Sequence, residues 1–322
     1  MYLYGSFSPP PNGYEAPDVG AGVYERRWNP QRNEWVLVAA ARQSRTFLPQ
    51  RAACPLDPSR PDHSTEIPAS RFGAAVFENR FPAMSPAGGG GVCEVVVYTD
   101  AHEGSFASLA AASLERLVEV WTDRYRDLGA RPDVRYVYIF ENRGEQVGVT
   151  LHHPHGQIYG YPFIPPVAAL ELKRPAGRCV QCALIKDELE DGRRLLARRS
   201  GVVAYVPASA RWPYEVHVST VAHRACLTDL VRATRITLVH AMQRVVQAYD
   251  RLFGVPMPYM MVIHQQPTDG RSHPQAHLHV EFYPILRDSG KLKYLAGSES
   301  GAGVFINDTL AEESAARLRA LL

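Results

Sequence analysis

Two histidine-rich segments, HHPHGQIYGYP at 152–162 and HPQAHLHVEFYP at 273–284, close two stretches of chain that run through the same order of elements. The first stretch reads as a strand at 94–98, His102, an amphipathic helix at 113–128 and a strand at 135–140. The second reads as a strand at 216–220, His223, a helix at 228–253 and a strand at 259–263. Setting His155 on His279 gives an offset of 124 residues, and setting His102 on His223 gives 121. In that alignment His153-x-His155-x-Gln157 falls on His277-x-His279-x-Glu281, and a Tyr-Pro follows each, at 161–162 and 283–284. A repeat of this length points to a duplicated domain rather than a solenoid unit. The expected fold is α+β, in two tandem halves.

The helices rest on periodicity. Leu114, Leu117, Val118, Trp121, Tyr125 and Leu128 form one stripe, and Val231, Leu238, Met242, Val245, Val246, Tyr249 and Phe253 form another. Further strand-like runs lie at 35–39, 202–206 and 277–283, with a last short helix over 309–322. The chain of 322 residues suits two domains at roughly 100–200 residues each. Pro165-Pro166 marks the break: a Pro/Gly-rich flexible arm at 1–20, a first domain at 21–165 and a second at 166–322.

Charge excludes several partners. Lys+Arg number 35 against 33 Asp+Glu, a formal charge of +2, so nucleic-acid polymers and anionic membranes are not expected. No apolar run approaches the roughly 18–20 residues that span a bilayer, and no secretory leader is visible. Five cysteines, Cys54, Cys93, Cys179, Cys182 and Cys226, are an odd number; with no leader they favour a reducing cytoplasm.

The chemistry is expected around HHPHGQ. On an extended strand His153, His155 and Gln157 share one face, about 7 Å between successive members. Gly156 admits a ligand closely, and the group suits an anion. An imidazole can attack phosphorus and carry the transferred group covalently, while the Gln157 amide donates to a phosphate oxygen.

Together with ERRWNPQRNEWVLVAAARQSR (25–45), CPLD (54–57), FENRFPA (77–83), AHLHVEFYP (276–284) and KLKYLAGSE (291–299), this segment resembles the histidine-triad superfamily in its galactose-1-phosphate uridylyltransferase branch. The resemblance implies an α+β fold of two tandem histidine-triad-like domains, each an antiparallel sheet with a long packed helix, and a ping-pong reaction between UDP-glucose and galactose 1-phosphate, through a uridylylated His155. It implies that Gln157, Thr150 and Asn142 contact the moving phosphates. Arg42, Arg45, Asn79, Phe81 and Gly148 would meet the nucleotide, and Lys293 and Tyr294 the sugar phosphate. A homodimer is also implied. Rival readings are a sibling enzyme acting on ADP-sugars or diadenosine polyphosphates, and a non-catalytic metal-stabilised nucleotide-binding module.

The resemblance further implies two metal sites. Cys54, Asp57, His102 and His153 match a zinc site whose second cysteine is here Asp57. Glu171, His264, His279 and Glu281 match a structural zinc or iron site, with His277 as an alternative to Glu281. Cys179-x-x-Cys182 leaves open a third metal site, a redox pair or two free thiols, and free thiols are favoured.

Overall fold

The computed structural model describes residues 1–15, 24–173 and 179–322. The chain divides into two compact units. The first comprises Met1–Ile139, Thr150–Lys173 and Pro267–His273; the second comprises Phe140–Val149, Arg174–Gln266 and Pro274–Leu322. The units are thus interleaved in sequence, with 140–149 counted with the second and 267–273 with the first.

The first unit holds β1 (Tyr2–Tyr4), β2 (Tyr24–Asn29), β3 (Glu34–Ala39), β4 (Ala74–Glu78), β5 (Val92–Val97), the start of β6 (Tyr136–Arg143) and β7 (His155–Tyr161), with helices α1 (Ala111–Gly129) and α2 (Pro166–Glu171). Its sheet runs in the order β1-β4-β5-β7-β6, and β2 and β3 form a separate antiparallel hairpin. The β1–β4, β4–β5 and β5–β7 pairs are antiparallel. β4 and β5 are nearly continuous apolar runs because the sheet is covered on both faces there. All six apolar positions foreseen for α1 are buried. From the same helix Arg124 clasps Glu94 of β5 with two parallel bonds, Nε to Oε2 at 2.9 Å and Nη2 to Oε1 at 2.7 Å. That bidentate pairing is what lets a carboxylate occupy an otherwise apolar buried strand.

The second unit holds α3 (Val180–Asp191), β8 (Leu195–Arg199), β9 (Val202–Tyr205), β10 (Val216–Thr220), α4 (Arg232–Leu252), β11 (Tyr259–His264), β12 (His279–Pro284), the small hairpin β13 (Leu286–Asp288) and β14 (Lys291–Leu292), and α5 (Ala311–Arg319). Its sheet order is β11-β12-β10-β9-β8. The order β4-β5-β7-β6 of the first unit therefore recurs as β9-β10-β12-β11. Registers agree as well: His155 faces Val97 across β7–β5, and His279 faces Ser219 across β12–β10. The duplication read from sequence is present in the strand pairing itself.

Three expectations are corrected. The arm expected at 1–20 is not loose at its start, because Tyr2–Tyr4 pairs with β4 and the Tyr4 hydroxyl donates to Asp123 at 2.6 Å; residues 16–20 of it lie outside the described residues. Val231 is not part of the α4 stripe but its exposed N-cap. β7 and β12 begin at His155 and His279, so His153 and His277 lie just before their strands. Among the described residues no helix is long and apolar enough to cross a membrane.

Candidate active site and metal-ligating clusters

The late start of β7 separates the two histidines that sequence placed on one strand face. His155, the first strand residue, donates from Nδ1 to the carbonyl of His153 at 2.7 Å. With the proton held there, Nε2 of the neutral ring carries the lone pair. Burial pushes the His155 imidazole below its ordinary pKa, against the pull of that hydrogen bond, which favours the neutral ring.

Gln157 follows two residues later on β7. Its Oε1 accepts from Asn79 Nδ2 at 3.4 Å and from the Tyr159 hydroxyl at 3.3 Å. With the carbonyl end engaged twice, the amide nitrogen is the end left to donate. Asn79 is itself fixed by an Asx turn, its Oδ1 accepting from Phe81 N at 2.8 Å. Arg42 donates to the Phe81 carbonyl at 2.9 Å, and its charge acts on Tyr159 and Cys93. Arg45 closes the short turn Ala40–Ser44 through a 3.4 Å bond from its N–H to the Arg42 carbonyl. The Thr150 carbonyl receives Leu48 N at 2.9 Å, where Leu48 takes a left-handed φ of 44°. The first unit thus joins Gln157, Asn79, Phe81 and Arg42 into one network, two residues along β7 from His155, with Thr150 tied to the segment that follows Arg45.

Asn142 lies on the part of β6 in the second unit, and Gly148 is an exposed left-handed residue there at φ 81°. Lys293, expected to meet a sugar phosphate, instead buries its ammonium against Glu299 at 2.7 Å. That partner, with Ala296 N and Ile306 N, holds the Glu299 carboxyl down at about 2. Tyr294 is exposed.

His153 turns to a different group. Its Nε2 donates to the Thr99 carbonyl at 2.7 Å, which turns Nδ1 to the group. That Nδ1 lies 2.9 Å from Asp57 Oδ1, and His102 Nδ1 lies 2.7 Å from the same oxygen. The donor atoms of Cys54, Asp57, His102 and His153 all lie within 4.8 Å of one another. A carboxylate oxygen this close to two imidazole nitrogens needs a proton or a cation between them. Burial pushes the Cys54 thiol up to about 11, so a thiolate there requires a cation as well. The four residues fit a zinc(II) ion.

In the second unit His279 repeats the brace of His155, donating from Nδ1 to the His277 carbonyl at 2.8 Å. Its Nε2 lies 3.4 Å from Glu281 Oε1, and His264 Nε2 lies 3.6 Å from Glu281 Oε2. The rings of His264 and His279 stack 4.9 Å apart. Burial alone would raise the Glu281 carboxyl, yet the imidazoles of His217, His264 and His279 hold it well below the usual carboxylate range. Glu281, not His277, is therefore the member grouped with His264 and His279. Glu171 ends α2 in the first unit and is exposed. Sequence reading missed His217, whose Nε2 lies 3.3 Å from Glu281 Oε1 and 2.9 Å from Glu215. Only the β10–β12 register, which sets His217 opposite Glu281, reveals it. Tyr159 and Tyr283 were also missed, although each follows Gln157 or Glu281 by two residues on its strand and donates to it.

Residues 83–165 match the N-terminal domain of galactose-1-phosphate uridyl transferase, and residues 172–322 match its C-terminal domain. The chain belongs to this family. Its members are nucleotidyltransferases. A Thermotoga maritima galactose-1-phosphate uridylyltransferase is 37% identical, over 92% of this chain and 98% of its own length. A solved uridylyltransferase structure superposes with a TM-score of 0.81 at 32% identity, covering 92% of this chain and 98% of that one. An ADP-glucose phosphorylase from Arabidopsis thaliana, solved with ADP-glucose, shares the fold at a TM-score of 0.71 and 21% identity, covering 93% of this chain and 99% of its own.

Proposed function

We propose that this family member transfers the uridylyl group of UDP-glucose to galactose 1-phosphate by a ping-pong route through His155. The observation that carries the reading is the Nδ1–H bond from His155 to the His153 carbonyl, which leaves Nε2 as the nucleophilic atom. Nε2 attacks the α-phosphorus; a nitrogen–phosphorus bond forms, and the phosphorus–oxygen bond to glucose 1-phosphate breaks. In the second half, a phosphate oxygen of galactose 1-phosphate attacks the same phosphorus, the nitrogen–phosphorus bond breaks, and UDP-galactose leaves. Dividing the displacement in two makes His155 the attacking group in the first half and the leaving group in the second. The Gln157 amide donates to the phosphoryl oxygen that gains charge, and Asn79 and Tyr159 keep that amide oriented. Arg42 offers guanidinium donors to the phosphates, and Phe81 a ring to the base. Arg45, Thr150, Asn142 and Gly148 complete the proposed phosphate and nucleotide contacts on the strength of the family motifs. Tyr294 remains a proposed sugar-phosphate contact, and Lys293 acts there only if it leaves Glu299.

Zinc(II) held by Cys54, Asp57, His102 and His153 would supply a structural anchor for the segment that delivers His155. His264, His279 and Glu281 are the proposed donors of a second metal, zinc or iron, and Glu171 is a further donor on its sequence spacing from His153. The reading also includes a homodimer and a cytoplasmic setting; sizing that shows only monomer would remove the former.

The test is intact mass after mixing the protein with UDP-glucose alone. A UMP adduct, absent in His155→Ala, is expected. An adduct from ADP-glucose and none from UDP-glucose would transfer the reading to adenylyl chemistry, and no adduct from either would end the covalent mechanism.

A further inference from the structure

Cys54, Asp57, His102 and His153 have counterparts in the second unit. At offsets of 125, 125, 121 and 124 residues stand Cys179, Cys182, His223 and His277. Their donor atoms, too, all lie within 4.8 Å of one another. His277 Nδ1 is 3.4 Å from Cys179 Sγ and 3.3 Å from Cys182 Sγ, and His223 Nδ1 is 3.4 Å from Cys182 Sγ. The orienting contacts are repeated as well. His277 Nε2 donates to the Thr220 carbonyl at 2.9 Å, as His153 Nε2 does to Thr99, so in both units Nδ1 is the nitrogen presented to the group. The two histidine rings meet edge to face at 5.1 Å and 70°, against 5.5 Å and 84° in the first unit. Cys179 caps α3, and the backbone N–H of Cys182 donates to its sulfur at 3.3 Å.

We propose that Cys179, Cys182, His223 and His277 form a third metal site, a tetrahedral two-sulfur, two-nitrogen site for zinc(II). The ligand type and the closed set of four are those of a structural centre, with no position kept for a substrate. The ion would tie the start of α3 and the segment after β10 to His277, two residues before His279. His277 is then withdrawn from the neighbouring His264–His279–Glu281 group, which is why that group uses Glu281. The favoured sequence reading of two free thiols is replaced, and the proposal stands apart from the uridylyl chemistry.

Elemental analysis of the purified full-length protein, after dialysis against a mild chelator, tests it. Cys179→Ser/Cys182→Ser is expected to lose one zinc per chain relative to the parent and to keep the uridylyl adduct. Should that variant fail to fold, His223→Ala, altered at an exposed position, is expected to release one zinc at chelator concentrations at least tenfold lower. Cobalt(II) reconstitution gives a second readout: the thiolate-to-cobalt absorption should keep about two thirds of its intensity in Cys54→Ser, because band strength follows the number of thiolates bound. A native mass lower by two hydrogens, showing a disulfide, would overturn the proposal. So would zinc content and cobalt spectra unchanged by both sets of variants.

Discussion

Replacing Gln157 by Glu writes the chemistry of the second unit into the first, because Glu281 occupies the matching place on β12. The substitution is nearly isosteric. The oxygen that accepts from Asn79 and Tyr159 is retained, so the fold should hold to within about 1 kcal/mol, the range of a hydrogen-bond change. What changes is the other end, where an NH2 donor becomes an acceptor. Losing one donor to a charge-gaining oxygen costs about 3–4 kcal/mol, or roughly 100- to 1,000-fold in rate. A carboxylate about 4 Å from a phosphate oxygen adds repulsion of about 4 kcal/mol at an effective dielectric of about 20, reduced by salt. Gln157→Ala should therefore slow adduct formation roughly 100- to 1,000-fold, and Gln157→Glu at least tenfold more. Rapid-quench mixing with UDP-glucose, followed by intact mass, measures that single half-reaction. If the Glu variant matches or outpaces the Ala variant at low salt, Gln157 acts by filling space and the donor role is wrong.

Other outcomes follow from the same geometry. Glu94→Ala removes both parallel bonds of the Arg124 guanidinium and leaves it Asp127, at 2.8 Å, and should destabilise by about 1.5–3 kcal/mol in urea melts; a loss under about 0.5 kcal/mol would mean that Asp127 and water replace the pair. The Glu299 carboxyl, held at about 2 against 4.5, stabilises the fold above its unfolded value. That contribution should fade as pH falls from about 4.5 through 2, and Glu299→Gln should flatten stability over that window. Asp57→Ala should leave the first-unit donors with about one metal ion fewer per chain by elemental analysis, with adduct formation slowed but not abolished.

The helices were legible because each buries one stripe of side chains, and the strand runs because they are apolar and short. α3 escaped because its sequence, VQCALIKDELED, buries only Ile185 and Glu188 and so shows no clear stripe. The choice between His277 and Glu281 stayed open because residues two apart share a face on any strand. It closes once β12 is seen to start at His279 and His277 is seen to turn towards Thr220. Cys179 and Cys182 look like an isolated pair because their partners arrive from 223 and 277, brought in by strand pairing. His153 and His155, two residues apart in the motif, turn to different groups through the same backbone event at the head of β7, His153 to Asp57 and His155 to the proposed uridylyl chemistry. The Lys293–Glu299 pair could not be foreseen, since nothing local distinguishes a lysine that meets a carboxylate from one that meets a ligand.

The first residues of the chain matter in a way their composition hides. Tyr2–Tyr4 covers the free edge of β4, the Arg124 guanidinium lies 4.1 Å from the centre of the Tyr2 ring, and Tyr4 is bonded to Asp123. Trimming them would bare a row of backbone donors and acceptors on a strongly apolar strand and let water reach the buried Arg124–Glu94 pair. Shortened chains would then find each other through that edge, and solubility would be lost well before any residue near His155 was disturbed.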